Sequence, residues 1–416
     1  MGSGHSHRAH TDLDHDVQVH RRPRIVLLAS LALAAAATVV GLVALWPDGA
    51  RVDELRQSAV FAAPGATFPD AVVNRVEPAC AQQTGTGTQP PPDTSQPPSC
   101  GQIHATVATG ADQGTQVRVT VPPQVSDSGL SPGDRIRLLA PPVAQGDPAV
   151  FSYFGTERTG SLWFLAIAFA LVVVAVARLR GVFAILGLAF SALVIWKFAL
   201  PALLVGESGL LVGLVASAAI MFVVLYTTHG LSIRTSAALA GTLAGVGMTA
   251  AIGILSVQST HLTGVNDESG GFLSAFVGDV SFQGLLTCAI IIAGLGVLND
   301  VTITQASAAW ELRGAAPHLT RRQVFARGMR IGRDHIASTI YTIVFAYAGT
   351  ALTVLLVIQL YDRPLVDLLA TEEIGQEVVR ALASSIGLVL AVPLTTAIAT
   401  LTLPGAPVTV AVDQSS

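Results

Sequence analysis

The chain has 416 residues, 51% of them hydrophobic and only 12% charged, with a formal net charge of −4. Mean hydropathy is +0.60. This balance excludes an ordinary soluble globular protein and a nucleic-acid-binding surface, and it fits a polytopic membrane protein. Arginine supplies the basic charge, because Lys197 is the only lysine, and the Ala-, Gly- and Val-rich usage is that of a high-GC bacterial chain.

Residues 1–24 carry His5, His7, His10, His15 and His20 among Asp12, Asp14 and Asp16. The tract lacks apolar residues to fold around a site, so it reads as a disordered cytoplasmic tail. Its imidazoles and carboxylates suit low-affinity capture of a metal ion, though a solvated tail explains them equally. No cofactor is expected. Residues 25–46 follow Arg21, Arg22 and Arg24 and form an apolar run longer than a signal-peptide core, read as an uncleaved anchor.

Residues 47–160 alternate apolar and polar positions in "QIHATVAT", "TQVRVTV" and "DRIRLL". That period of two predicts strands, and a small extracytoplasmic all-β domain, barrel or sandwich, is expected here. Cys80 and Cys100 flank the Pro-rich stretch "GTGTQPPPDTSQPPS" and are a candidate disulfide on an oxidising face. A protein partner of this domain is the functional expectation, since it holds no nucleophile–base pair or metal spacing.

Seven more apolar segments follow, near 161–177, 182–205, 209–226, 236–257, 282–303, 336–358 and 382–403. Each is long enough, at about 20 residues, to cross a bilayer. Together, 161–403 reads as a seven-helix bundle, and the fold class is an α-helical polytopic membrane protein of about eight spans. With the N-terminus inside, Arg178, Arg180, Arg234 and the six arginines between 313 and 333 fall on the cytoplasmic side. The positive-inside rule then gives both termini, including the tail 404–416, a cytoplasmic location in a bacterial plasma membrane.

Ionisable groups within such spans are functional candidates by default. Lys197 interrupts "ALVIWKFALPALLVG", where snorkelling to the headgroups competes with a functional role. In "GLGVLNDVTITQASAAWELR", residues 294–313, Asp300, Thr304, Ser307 and Glu311 are spaced four, three and four apart and form one helical stripe, with Asn299 on an adjoining face. The stripe suits a wet vestibule open to the cytoplasm or a buried contact with another helix, with the polar end of a helix as the bland alternative. By helical rise Lys197 and Asp300 differ in depth by roughly 15–20 Å, which excludes easy direct pairing. His229, Arg333, Asp334 and His335 sit at the same inner level, where Arg333 or Arg234 is a candidate partner for Asp300. Gly241 and Gly245 carry the small-residue spacing of close helix packing.

"GVLNDVTITQASAAWEL" (296–312), "THGLSIRTSAALAGTLAG" (228–245) and "GRDHIASTIYTIVFAYAGTALTVLL" (332–356) resemble the recurrent segments of the YibE/F-like membrane proteins. The resemblance runs from about residue 100 onward and omits the histidine tail. It implies a polytopic, permease-like membrane protein and brings no catalytic residues or substrate. A permease of an unidentified small solute or ion, coupled to protons through Asp300, is the functional expectation, with a non-transporting scaffold or receptor-like role as the alternative. No enzymatic activity is expected. The expected partners are the lipid bilayer, a small solute or ion, and a protein at the extracytoplasmic domain.

Overall fold

The computed structural model describes residues 21–58, 63–79, 101–143, 149–265, parts of 270–278, and residues 280–360 and 364–404. The five tail histidines, Cys80 and Cys100 lie outside the described residues, as do 405–416. The chain forms two compact units, Arg56–Ala175 and the remainder (Met1–Leu55 with Val176–Ser416).

The first unit is built on five antiparallel strands: β1 (Asp70–Glu77), β2 (Gln102–Val107), β3 (Gln116–Thr120), β4 (Arg135–Leu139) and β5 (Ser152–Thr156). Their order is β3-β2-β1-β4-β5. Alternation puts Ala71, Val73, Ile103, Ala105, Val119, Ile136 and Leu138 on one buried face. Register shifts between Val73 and Arg75, and between Arg137 and Leu138, bend the sheet, and its edge strands β3 and β5 touch. The expected strands at 102, 116 and 135 are present. The described unit is one curled sheet and has no second sheet to make a sandwich.

The second unit is helical. It contains α1 (Arg21–Ala44) and most of α2 (Gly49–Ser58), then, after the short α3 (Pro123–Ser126) of the β unit, the second part of α4 (Thr159–Val194), which begins in one unit and ends in the other. There follow α5 (Leu200–Leu204), α6 (Gly209–His229), α7 (Ile233–Ser259), α8 (Phe282–Ala315), α9 (Arg321–Thr350), α10 (Leu352–Leu360), α11 (Leu365–Leu369) and α12 (Glu372–Thr402).

Among the described residues, six helices are long and apolar enough to cross a membrane: Arg22–Ala44, Thr159–Leu204, Gly209–His229, Ile233–Ser259, Phe282–Ala315 and Glu372–Thr402. The difference from eight has two causes. At 1.5 Å per residue the 46-residue stretch Thr159–Leu204 is about 69 Å long, more than twice a ~30 Å hydrocarbon core. It carries a non-helical break at Arg178 (φ 54, ψ −132), between the two spans expected there. The segment expected at 336–358 is instead the second half of an arginine-rich helix, α9, followed by α10.

Local chemistry explains the helix boundaries. Ser232 and Ser281 cap α7 and α8 by accepting from Thr235 N and Gly284 N, each at 3.1 Å. Thr320 and Gln323 form a reciprocal capping box at the start of α9. Residues Ile195–Ala199, including Lys197, form a π-helical turn directly before Pro201. Proline has no N–H for the carbonyl four residues back, and the wider turn accommodates that loss.

The core of the unit is α7, α8 and α12, which pack against one another. Here backbones approach closely because side chains are missing. A Cβ at Gly241 would lie 2.8 Å from Thr395 Cβ, and one at Gly387 would collide with the Thr249 hydroxyl. At one end, Glu372 Oε1 accepts from Thr263 N (2.8 Å), Thr263 Oγ1 (3.0 Å), Gly264 N (3.0 Å) and Gln376 Nε2 (2.7 Å), tying α12 to the end of α7. At the other end, Arg321 Nη2 donates to Leu403 O at 3.0 Å. The buried Arg313 closes the α8–α9 turn by donating from Nη1 to Pro317 O (3.1 Å) and Leu319 O (2.9 Å).

Candidate functional site: the two faces of α8

On an α-helix, residues two apart point about 200° apart, to opposite sides. Two opposite stripes of helix α8 show this. Ile291, Leu295, Leu298, Thr302, Gln305 and Ala309, spaced four, three, four, three and four, are all buried. Ala293, Gly296, Asp300 and Glu311 are exposed, with Ala289, Thr304 and Ser307 half-buried on the same stripe. The packed face meets α7 and α12. Helices α6 and α9 flank α8 on its two sides while scarcely touching each other among the described residues, so the stripe between them stays open.

The packed face holds its own polar chemistry. The hydroxyls of Thr242 and Thr302 meet at 2.6 Å, and Thr396 Oγ1 donates to Gln305 Oε1 at 3.0 Å. Thr249 Oγ1, Thr395 Oγ1 and Gln305 Nε2 are buried without a hydrogen-bond partner. These hydroxyls sit where glycines face them (Gly387 and Gly241), so the seam is tight as well as polar. Polar groups that bond across helices hold a bundle together in lipid, where apolar contact alone gives little preference.

The open face carries the stripe expected from spacing. Thr304 Oγ1 returns its proton to Asp300 O at 2.7 Å, a bond within the helix that leaves the Asp300 carboxylate uncommitted. Among the described residues neither Asp300, Glu311, Lys197, Arg333 nor Asp334 makes an ion pair within 4.0 Å. Asn299, beside the stripe, has its Oδ1 buried and unpartnered. Neither of the expected partners of Asp300, Arg333 and Arg234, forms an ion pair with it among the described residues. His229 ends α6 half-buried ahead of the left-handed Gly230 (φ 78). On α9, Arg333 and Asp334 are exposed and His335 is half-buried, whereas the preceding Gly332 is the residue that packs on Gln305 and Val392. Lys197 is exposed on the π turn. Among the described residues, no group of three or more His, Cys, Asp or Glu is arranged to hold a metal ion.

A feature that spacing did not reveal lies at the Phe282 end of the same stripe. A cavity of about 370 Å³ is lined by Leu200 and Leu203 of α5, by Leu285, Cys288, Ala289, Ile292 and Ala293 of α8, by Tyr347 of α9 and by Arg380 of α12. Arg380 Nη1 donates to Glu377 Oε1 at 2.7 Å, and each side chain is 22% exposed. Arg380 Nε and Glu377 Oε2 are buried without a partner. By sequence Arg380 belongs to a loop before a span beginning at 382. The helix starts ten residues earlier, because Glu372, Glu373, Glu377 and Arg380 lower the hydropathy of its first turns without preventing helix formation.

The fold and these faces define a multi-pass helical membrane protein with one helix packed on one side and open on the other. The family model described as YibE/F-like protein matches residues 165–405, more than half of the chain, and the chain belongs to that family. The match begins at residue 165, after the last strand of the β unit, so the resemblance expected from about residue 100 is narrower than the sequence suggested. No curated protein and no solved structure matches the chain.

Proposed function

We propose that this protein is a permease of a small solute or ion in a bacterial plasma membrane, crossing it about eight times with both termini cytoplasmic. The observation that carries the reading is the open stripe of α8. Small residues, Ala289, Ala293 and Gly296, leave room along its first half, and Asp300, Thr304, Ser307 and Glu311 supply polar groups along its second. An ionisable side chain at membrane depth is costly unless water or a partner meets it. Asp300, where the polar half of the stripe begins, then couples movement of the solute to protons, while the glycine–hydroxyl seam between α7, α8 and α12 serves as the rigid frame. No enzymatic step is part of this reading, and neither a cofactor nor a metal is required by it.

Transport across sealed vesicles containing purified protein, screened over ions and metabolites, tests the reading. An imposed pH gradient drives uptake in the wild type, and Asp300→Asn abolishes that dependence. Full transport by Asp300→Asn removes the coupling role.

A second reading, a membrane scaffold with a partner-binding β unit, is favoured by one feature. A polar cavity of about 640 Å³ in that unit is lined by Asp70, Asp134, Arg135, Arg137 and Glu157. Arg137 bridges Asp70 (3.1 Å) and Glu157 (3.3 Å) there. Absence of any transport, together with a protein co-purifying through residues 47–160, would favour this reading.

A further inference from the structure

We propose that the cavity beside Arg380 binds an amphiphile: an aliphatic chain ending in an acidic oxygen head, carboxylate or phosphate. The volume of about 370 Å³ is within the range of small-ligand sites. Its walls divide cleanly. Leu200, Leu203, Ile292 and Ala293 offer hydrocarbon, and apart from the weakly polar thiol of Cys288 the polar groups are those of Arg380 and Tyr347. Glu377 occupies only the Nη1 edge of the guanidinium, so Nε–H remains a buried donor without an acceptor. A buried donor of this kind is costly until an oxygen meets it, and a charge-assisted bond from guanidinium to a carboxylate or phosphate is the strong form of that contact.

Depth supports the same ligand. Helices α8 and α12 have 34 and 31 residues, about 51 and 46 Å, and overhang a ~30 Å hydrocarbon core by roughly 8–10 Å at each end. The Gln283 Nε2 bond to Leu262 O and the Glu372 bonds to Thr263 and Gly264 bring the starts of both helices to one level. Arg380 is then about 12 Å, and Ala289 about 10 Å, from that end. Both lie near the boundary between headgroups and acyl chains, where an amphiphile changes from polar to apolar. The inference concerns binding and stands independently of any transport along α8.

The test uses the delipidated full-length protein and a stearate carrying a diazirine on its chain, with cross-linked peptides mapped by mass spectrometry. The labelled sites concentrate on residues 285–293, and oleate competes while methyl oleate, which has the same chain and no acid, competes at least tenfold less. Arg380→Gln weakens oleate competition by roughly tenfold or more, the loss of one charge-assisted bond. Ala293→Phe, which fills the cavity and keeps the arginine, abolishes the focused labelling. Dioleoyl phosphatidic acid is run in parallel, and whichever compound competes at lower concentration identifies the source of the head as free fatty acid or membrane phospholipid. Labelling spread evenly over lipid-facing helices such as α4, or equal competition by oleate and methyl oleate, would overturn the proposal.

Discussion

Helix α8 presents two polar faces that do opposite things. On one, Thr302 and Gln305 are buried and bonded to Thr242 and Thr396 on neighbouring helices. On the other, Asp300, Thr304 and Glu311 face outward, and the bonds Thr304 makes stay within its own helix. Composition does not separate these sets, since both are short, polar and interleaved. What separates them is angle: each packed residue has an open one two positions away. Polar residues in a membrane helix are therefore of two kinds, those that join helices and those that leave a surface wet or available to a ligand. The second kind carries the functional proposal here.

The glycines of the two faces give the largest expected contrast. Gly241→Val and Gly387→Val drive a side chain into Thr395 and Thr249, and each lowers stability by about 3 kcal/mol, the upper end of overpacking effects. Gly296→Val meets open space and leaves the thermal midpoint in detergent nearly unchanged. Equal losses at all three positions would erase the distinction between the faces. Hydroxyls give a smaller contrast. Thr302→Val removes the buried bond to Thr242 and costs about 1 kcal/mol, whereas Thr304→Val changes stability by no more than about 0.5 kcal/mol. Denaturation of the two variants in the same detergent compares them directly.

The smallest effect lies in the β unit and serves as a control independent of α8. Hydrogen bonds from Thr159, from its side chain and then its backbone, hold the Glu157 carboxyl below its ordinary pKa of 4.5; Arg137 and Arg135 add to this, against an opposing effect of burial. A depressed carboxylate pKa contributes stability that is present above the unfolded value and lost as pH falls through the folded one. Acidification below about pH 4.5 therefore weakens the wild-type unit slightly, and Glu157→Gln removes that part of the acid dependence in a pH series of melting curves.

Much of this architecture was legible in the sequence, because hydropathy and helical spacing are local properties. The family segments, the three alternating strands at 102, 116 and 135, and the stripe from Asp300 to Glu311 all follow from residue order. Strand β1, "DAVVNRVE", was harder to see because its alternation breaks at Asn74, where the register shifts. The start of α12 was hidden by its own charges. Spacing on α8 identified a polar stripe without revealing which side of the helix would be packed, since that depends on Gly241, Gly245 and Gly387 on other helices admitting close neighbours. The cavity was beyond reach for a similar reason: Arg380, Tyr347, Cys288 and Leu203 come from four helices, and no sequence interval relates them.

The central claim is that the stripe of α8 is a wet surface while its opposite face is sealed. Single cysteines at Gly296, Asp300, Thr304 and Ser307, and at Thr302 and Gln305, read out in vesicles with a membrane-impermeant, water-soluble maleimide applied from each side, test it most directly. The account predicts labelling at the first four positions, from the cytoplasmic side at Thr304 and Ser307, and protection at the last two. Protection at all six, or labelling that ignores the two-residue alternation, would contradict it.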